Sequence, residues 1–200
     1  MSTGQATIAN TDYVTPQYRL TVSQYERMIE GGIIAEDDEV ELLDGILVPK
    51  KTKNAPHETA TLLVKDELEK IIPKSWHVRS QSVMKTRFSM PEPDVSIVSG
   101  TIRDYASQLP GPDNIGLVVE VADTSLLKDR TVKASAYARA GIATSWILNL
   151  KDFCLEVYSQ PTSGKSAGYR SCDVKKAKEI LTLSLKNKSV GKIKVADLLP

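Results

Sequence analysis

The chain has few of the residues that build disulfide frameworks and zinc sites. Its 200 residues include two cysteines, Cys154 and Cys172, and two histidines. Two cysteines cannot form a metal cluster alone, and so few histidines argue against a histidine-rich zinc site. We expect both thiols to be reduced, as they are in cytoplasmic proteins.

Long apolar runs and a strong net charge are also missing. No apolar stretch approaches the roughly 20 residues that a membrane-spanning helix requires, and residues 1–10 lack the basic-then-apolar pattern of a secretory signal. The formal net charge is +1, so no overall field draws the protein towards nucleic acid or membrane. The sequence therefore predicts a cytoplasmic protein without a membrane partner, and it restricts nucleic-acid binding to a local basic groove.

The length and composition predict one globular domain. The chain is 41% hydrophobic and 26% charged, which is typical of a soluble fold with a real core. Residues 1–19 are interpreted as a flexible N-terminal arm and residues 20–200 as a single domain with its core at 57–150. Thr21 and Gln24 form the capping box of a first helix, and Asp44-Gly45 is a strong hairpin turn signal.

The order of the remaining elements favours an α/β sandwich around a central mixed sheet flanked by helices, with the first helix and hairpin as an N-terminal extension. A helix is predicted from Pro56-His57 to about residue 72, and a second from a cap at 123–125 to Gly141. Residues 76–84 and 85–88 are predicted to form one bent strand or a hairpin, and further strands are predicted at 94–99, 115–122, 145–150 and 154–158. Residues 160–168 are expected to be a loop, 179–185 the last strand, and the alternating lysines at 186–194 a solvated face.

Glu120 interrupts an otherwise apolar strand. Leu117, Val119 and Val121 would point to one face of the strand at 115–122, and Val118 and Glu120 to the other. Both faces are apolar, as in a strand covered on both sides. A carboxylate in that place is costly unless a metal, a cation or hydrogen bonds compensate it.

A second acid and a helical stripe complete the pattern. Asp94 leads directly into the strand at 94–99, and acids at the ends of neighbouring strands are a common way to hold a hard divalent cation. On the following helix Asp129, Lys133 and Tyr137 recur every four residues, so they share one face. If this helix packs over the sheet, Lys133 can reach the two carboxylates.

These motifs carry a resemblance to a known family. Pro93-Asp94 followed by Glu120-Val121-Ala122 resembles the PD-(D/E)XK nuclease signature, with Ala122 at the usual lysine position. The wider pattern, over about residues 20–158, resembles the branch of bacterial proteins known as the "putative restriction endonuclease" family, long a domain of unknown function. The further matching stretches are Val40 to Gly45, Pro56-His57, Glu92 to Val95, Val119 to Asp123, Asp129 through Lys133 to Tyr137, and Ala140 to Ile142 before Trp146-Ile147.

The resemblance implies a restriction-endonuclease-like fold and a role for each matching residue. Asp94, Glu120 and the carbonyl of Val121 would hold Mg²⁺, with Mn²⁺ as a substitute. Lys133 would replace the missing strand lysine. Glu41 would be a catalytic accessory acid near the metal. His57 and Tyr137 would be accessory residues, His57 facing the same cleft, whereas Ile46 stands where relatives often carry an acid.

The function implied is Mg²⁺-dependent hydrolysis of DNA phosphodiester bonds. This chemistry needs charge stabilisation on the phosphoryl oxygens and an activated water, which a cation held by carboxylates can provide. DNA is the expected partner, and a homodimer is expected because cutting both strands needs two sites. The first helix and the hairpin at Asp44-Gly45 are the predicted dimer surface.

Simpler interpretations of the same residues remain open at this point. Asp94 could be a solvated loop acid, Glu120 an outward charge on an edge strand, and Lys133 with Asp129 a surface pair. His57 could sit in the first turn of its helix without a role, Glu41 could pair with a neighbouring cation, and Tyr137 could be a packing residue.

Two other functions also stay open. Ala122 and Ile46 favour a catalytically weak or inactive module that keeps the nuclease fold for binding or regulation. Hydrolysis of a different phosphoester is the third possibility, since carboxylates alone do not select the substrate.

Overall fold

The computed structural model describes residues 17–35, 37–50 and 53–200. The predicted N-terminal arm therefore lies, for residues 1–16, outside the described residues. The helices and strands are α1 Val22–Glu30, β1 Val40–Leu43, β2 Ile46–Pro49, α2 Ala55–Ile71, β3 Trp76–Ser80, β4 Val95–Ser99, β5 Ile115–Ala122, α3 Leu126–Lys128, a π-helical turn Asp129–Lys133, α4 Ala134–Arg139, β6 Thr144–Asn149, β7 Cys154–Thr162, β8 Gly168–Lys176, β9 Ile180–Leu185 and β10 Lys188–Lys194. Short 3₁₀ turns occupy Ile102–Tyr105, Pro112–Asn114 and Val195–Leu198. None of the described helices is long and apolar enough to cross a membrane.

The predicted mixed sheet is confirmed, and it has six strands. Their order is β3-β4-β5-β6-β7-β8. Only β5 and β6 run parallel among these neighbours, and the helical stretch from α3 to α4 makes the crossover between them, as a parallel pair requires. All eight residues of β5 are buried, which agrees with the apolar character of both its faces.

Each face of the sheet carries its own hydrophobic cluster. One face packs against α2 and the β9–β10 hairpin, through Val95, Ile97, Leu117, Val119, Val121, Ala60, Val64, Leu68, Leu183 and Ile193. The opposite face packs against α4, through Val98, Val118, Tyr137 and Ile142. The alternation predicted for β5 is therefore confirmed, and it directs Glu120 towards α4.

The N-terminal extension packs on a third cluster. Its capping box forms as predicted: the Thr21 hydroxyl accepts from the Gln24 backbone N–H, and the Gln24 side chain accepts from the Thr21 N–H at 2.8 Å. Asp44 and Gly45 both have positive φ, at 48° and 81°, as the tight turns of two-residue hairpins require. The cluster joins α1, the hairpin and the segment before β4 through Val22, Tyr25, Ile34, Leu42 and Met90.

Several local expectations differ from the structure. The strand predicted at 76–84 ends at Ser80, and the helix predicted up to Gly141 is divided into α3, the π-helical turn and α4. Residues 85–88 form a turn rather than a strand, because the Thr86 hydroxyl accepts from the Ser89 backbone N–H at 2.9 Å and so competes with strand pairing. Residues 160–162 and 168 belong to the paired strands β7 and β8, so the predicted loop shrinks and the sheet continues past residue 150. The strand at 179–185 was predicted to be the last, but β9 is followed by β10. The β10 residues Lys188, Lys192 and Lys194 are exposed as expected.

Candidate active site

Strand pairing places the two predicted acids side by side. β4 and β5 are antiparallel with Val95 opposite Val119, so Asp94, one residue earlier, falls across from Glu120, one residue later. Both side chains are buried, with 4% and 1% of their surface exposed. The structure therefore excludes the interpretations of Asp94 as a solvated loop acid and of Glu120 as an outward edge charge.

Asp94 is held from two directions. Its Oδ2 accepts a hydrogen bond of 2.7 Å from the backbone N–H of Val121. Its Oδ1 lies 3.2 Å from Nε2 of His57, although that ring nitrogen is not aligned for a hydrogen bond. His57 is buried in the first turn of α2, where its backbone N–H donates to the capping side chain of Asn54. This contact puts His57 next to Asp94, but His57 does not line the cleft described below, so its accessory role stays a prediction.

Glu120 is bound by the helical stripe predicted to cover it. The ammonium of Lys133 lies 3.0 Å from both carboxylate oxygens of Glu120, and the hydroxyl of Tyr137 donates to Oε1 at 2.5 Å. Lys133 and Tyr137 are buried. Lys133 ends a π-helical turn in which the N–H of Ala134 reaches the carbonyl of Asp129, and such turns are frequent at functional sites.

The Lys133 ammonium lies among several acceptor oxygens. Besides Glu120, it donates to the carbonyl oxygen of Glu92 at 3.2 Å and lies 3.5 Å from Oε2 of Glu41. Burial by itself would lower the pKa of Lys133, but the charges of Glu120 and Glu41 outweigh it and raise the pKa well above its usual range. Lys133 is therefore a fixed positive charge in this arrangement.

Glu41 reaches the site from the N-terminal hairpin. It is buried in β1, its Oε1 pairs with Lys128 at 3.0 Å, and its Oε2 accepts from the backbone N–H of Glu92 at 3.2 Å. Lys128 also donates to the carbonyl of Pro49 in β2 at 2.7 Å. The hairpin is thus tied to the helical crossover, and it supplies an acid to the site although it lies outside the sheet.

Other members of the helical stripe are held by similar contacts. Asp129 is buried and accepts a hydrogen bond from the hydroxyl of Ser125 at 2.5 Å. The Ser125 side chain forms no capping hydrogen bond to the helix backbone. The pKa of Tyr137 is raised well above its usual value, first by burial and then by the charge of Glu120. Tyr137 therefore keeps its proton and serves as a hydrogen-bond donor to Glu120.

A small cleft opens over these groups. Its volume is about 30 Å³, room for one or two water-sized groups, and it is lined by Glu41, Glu92, Asp94, Asp129, Lys133, Lys50, Lys53, Lys128 and Gln81. Lys50 pairs with Glu92 at 2.8 Å, and Lys53 donates to Gln81 at 2.9 Å. Glu41, Asp94, Asp129 and Lys133 are the buried residues of the cleft, whereas Lys50, Lys53 and Lys128 are more exposed.

An ion pair missed in the sequence joins the buried Glu156 to the exposed Arg130, the residue after Asp129. Glu156 in β7 accepts from Arg130 at 3.0 and 2.5 Å, from Tyr158 at 2.8 Å and from Asn149 at 3.1 Å. Burial would raise the pKa of Glu156, but the hydrogen bonds from Arg130 and its other donors lower it overall. Glu156 stands in an apolar strand as Glu120 does, so the same sequence signal could have revealed it.

The site offers oxygen donors of the kind that a divalent cation needs. Within the described residues, no three histidine, cysteine, aspartate or glutamate side chains are already gathered as a metal-binding group. The oxygens of Glu120, Glu41 and Glu92 do converge on one positive group, the Lys133 ammonium, and oxygen donors of this kind are those that Mg²⁺ prefers. In chemical type, these residues fit a hard cation held by Asp94 and Glu120 beside this ammonium.

The fold is shared with a known crystal structure. That structure is described as a putative nuclease belonging to DUF820 from Anabaena variabilis ATCC 29413, and the two align with a TM-score of 0.64 at 11% identity, over 90% of this chain and 97% of the other. No curated protein matches the chain. The likeness gives this chain a restriction-endonuclease-like fold, as the sequence pattern predicted.

The sequence itself provides the classification. The sequence model of the family named Uma2 and described as "Putative restriction endonuclease" matches residues 22–188, and so it spans α1, the hairpin and the six-stranded sheet. The family and the fold together support a nuclease, in line with the buried acids and the lysine at the cleft. On this match, the chain belongs to the Uma2 family of restriction-endonuclease-like proteins.

Proposed function

We propose that this protein is a Mg²⁺-dependent endonuclease that hydrolyses phosphodiester bonds of DNA at the cleft above Asp94 and Glu120. The observation that carries the proposal is the convergence of Glu120, Glu41 and the Glu92 carbonyl on one buried positive charge, next to Asp94. Burying this many acceptors is costly unless a cation compensates them. The family and the fold make a nuclease the natural use of that arrangement.

Asp94, Glu120 and a backbone carbonyl, that of Val121 or of Glu92, are the proposed ligands of the cation. Glu41 is the accessory acid, and Mn²⁺ is an acceptable substitute for Mg²⁺. Nucleases of this fold generally use divalent metals. When bound, the cation would neutralise charge on the phosphoryl oxygens and make a bound water more acidic.

The other side chains of the cleft have separate roles. Lys133, held as a cation by its neighbours, stabilises negative charge on the phosphate rather than removing a proton from water. Tyr137 and His57 are positioning residues: Tyr137 orients Glu120 by its hydrogen bond, and His57 faces Asp94. Lys50, with Lys53 and Lys128 at the mouth of the cleft, contacts the phosphates that flank the scissile bond.

The test is cleavage of supercoiled plasmid in Mg²⁺ by the wild type, Glu120→Gln and Asp94→Asn. Both substitutions keep the size of the side chain and remove its charge, and we expect each to reduce the rate at least about 10²-fold. Glu179→Gln is the matched control, because Glu179 is exposed and far from the cleft in sequence and fold. Equal rates in all four proteins would mean that a contaminating nuclease cuts the plasmid, and the proposal would fail.

Calorimetry with Mg²⁺ or Mn²⁺ separates the alternatives. Metal binding that disappears in Glu120→Gln, together with turnover, supports the nuclease. Metal binding with no turnover on single-stranded, double-stranded or branched DNA would favour the non-catalytic module instead. Turnover confined to small phosphoesters would show that the substrate is not DNA.

Sedimentation of the purified protein tests the proposed homodimer, in which α1 and the hairpin form the contact.

A further inference from the structure

A second and much more open cavity lies on the outer side of α4. It has a volume of about 680 Å³ and is lined mainly by Arg19, Arg87, Arg139, Lys165, Phe88 and Asp44. An adjoining cavity of about 510 Å³ shares five of these six residues, all except Arg19. The two cavities form one continuous surface, called here the basic groove, which is bounded by the hairpin turn, the 86–89 turn, the end of α4 and the 163–165 loop.

Positive charge dominates the basic groove. Its four cationic side chains face one acid, Asp44. The Asp44 carboxylate pairs with Arg139 at 3.1 Å, and the Asp44 backbone carbonyl accepts a hydrogen bond from Arg19 at 2.5 Å. Arg87 and Lys165 are exposed, and in the part of the chain that the structure describes they form no ion pair. The surplus charge selects an anionic ligand.

Phe88 distinguishes this groove from a plain anion site. Its side chain is 47% exposed, and the guanidinium of Arg87 lies 5.0 Å from the centre of its ring. An exposed aromatic ring beside cations is the arrangement by which proteins hold unpaired bases, with the ring stacking on the base and the cations contacting the backbone. A simple anion would gain nothing from the ring.

One backbone segment links the basic groove to the cleft. Its first residue, Phe88, accepts from the Gly45 N–H at 3.0 Å, and its Met90 N–H donates to Leu42 at 2.8 Å, so the segment runs along the hairpin. Four residues after Phe88 the segment reaches Glu92, whose carbonyl oxygen accepts a hydrogen bond from Lys133. At roughly 3.3 Å per residue this spans at most about 13 Å.

We propose that the basic groove binds an unpaired stretch of the nucleic-acid strand, with a base stacked on Phe88 and phosphates held by Arg87 and Lys165, a few nucleotides from the scissile bond. The inference extends the proposed nuclease function by naming a strand that is locally single-stranded as its substrate. The groove and the cleft lie along the same hairpin, with Asp44 lining the groove and Glu41 lining the cleft.

Binding is measured without cleavage, by fluorescence anisotropy in EDTA. The probes are a labelled thymidine oligonucleotide of about 12 nucleotides, within the usual range for single-strand sites, and a duplex of the same length. The variants are Phe88→Ala and the double charge reversal Arg87→Glu/Lys165→Glu. The matched control is Lys188→Glu/Lys192→Glu, which changes the same net charge at exposed positions of β10 that line neither cavity.

We expect Phe88→Ala to weaken single-strand binding by roughly 5- to 150-fold and duplex binding by much less. The double reversal should reduce the slope of log K against log salt by about 1.4, because each lost phosphate contact is worth about 0.7 for a single strand. Circular dichroism confirms folding, and Arg87→Gln/Lys165→Gln replaces the double reversal if that protein does not fold. The control should retain the wild-type affinity and slope.

Groove variants that bind like the control would overturn the inference, as would equal losses on both probes after Phe88→Ala. A groove variant that keeps its binding but changes the sedimentation coefficient would show that the groove is a contact between copies of the chain. The result is separate from the nuclease test: Glu120→Gln should abolish cleavage and retain groove-dependent binding. If the groove variants lose binding but the wild type does not cleave DNA, the proposal for the basic groove is supported and the proposed nuclease function is refuted.

Discussion

Replacing Lys133 by methionine removes one charge from the centre of the candidate site and leaves a side chain of similar length. The Lys133 ammonium lies 3.0 Å from both oxygens of Glu120 and 3.5 Å from Glu41. All three side chains are buried. Without the ammonium, two carboxylates stay in a region that water hardly reaches, and Tyr137 still donates to Glu120.

The size of the effect follows from this burial. Removing one partner of a buried ion pair costs about 3–5 kcal/mol. For a domain of about this length, 1 kcal/mol lowers the melting temperature by roughly 2–4 °C, so we expect a decrease of about 6–20 °C by the same relation. The pKa of Lys133 is raised in the folded protein. Its contribution is therefore present in full below the unfolded value of 10.5 and is lost only as the pH rises through the higher folded value, so the loss should be constant between pH 7 and 9.

A divalent cation should rescue the variant selectively. Mg²⁺ or Ca²⁺ can take the position that the ammonium leaves, because the oxygen donors remain and the competing positive charge is gone. A ligand at about 100 times its Kd stabilises the folded state by roughly 2.7 kcal/mol. We expect a larger gain in Lys133→Met than in the wild type, because in the variant the metal also compensates the carboxylates that the ammonium leaves.

Urea unfolding in EDTA and in Mg²⁺ measures both effects. Lys65→Met is the matched control, since Lys65 forms an exposed pair with Glu69 at 3.0 Å, and such pairs contribute at most about 1 kcal/mol. The reasoning is refuted if Lys133→Met is as stable as Lys65→Met in EDTA. It is also refuted if Mg²⁺ stabilises the wild type as much as the variant.

Three further substitutions have distinct signatures. The pKa of Tyr137 is raised in the folded protein, so the unfolded state loses the tyrosine proton first and the free energy of unfolding falls above about pH 10. Tyr137→Phe should flatten this fall by up to about 1.4 kcal/mol per pH unit, as measured by urea unfolding at each pH. Arg130→Met should cost about 1.5–3 kcal/mol at neutral pH. It should also weaken the acid-side loss of stability, because Glu156, whose pKa is lowered in the fold, contributes above pH 4.5 and loses that contribution as the pH falls. Gly116→Ala should cost about 1–3 kcal/mol in chemical unfolding, since its Cβ would lie 2.7 Å from a tryptophan ring atom, whereas Gly168→Ala meets nothing within 4 Å and is the control.

Much of the core could be predicted from local patterns. The apolar alternation of β5 fixed its burial and the direction of Glu120, because side chains in a strand point alternately to opposite faces. The capping box of α1 and the Asp44-Gly45 turn formed as predicted, since both depend on residues a few positions apart. The four-residue spacing of Lys133 and Tyr137 likewise placed both side chains over the same carboxylate.

Other features depended on contacts between distant segments. β8 is a polar edge strand whose pattern gives no signal, and only its pairing with β7 makes it a strand. The π-helical turn before α4 was read as ordinary helix, because backbone hydrogen bonding of that kind has no simple sequence signature. The Arg130–Glu156 pair joins a helical turn to a strand 26 positions away in the chain.

The sequence by itself determined which strand is central, which face of it carries an acid, and which helix covers that acid. Only the tertiary structure decided that Glu41 from the hairpin and the carbonyl of Glu92 complete the set of oxygens around Lys133. The same is true of the basic groove, which gathers Arg19, Arg87 and Lys165 from separate loops. Local periodicity is set by backbone geometry, which the sequence encodes directly, whereas the meeting of distant polar groups depends on how the whole core packs.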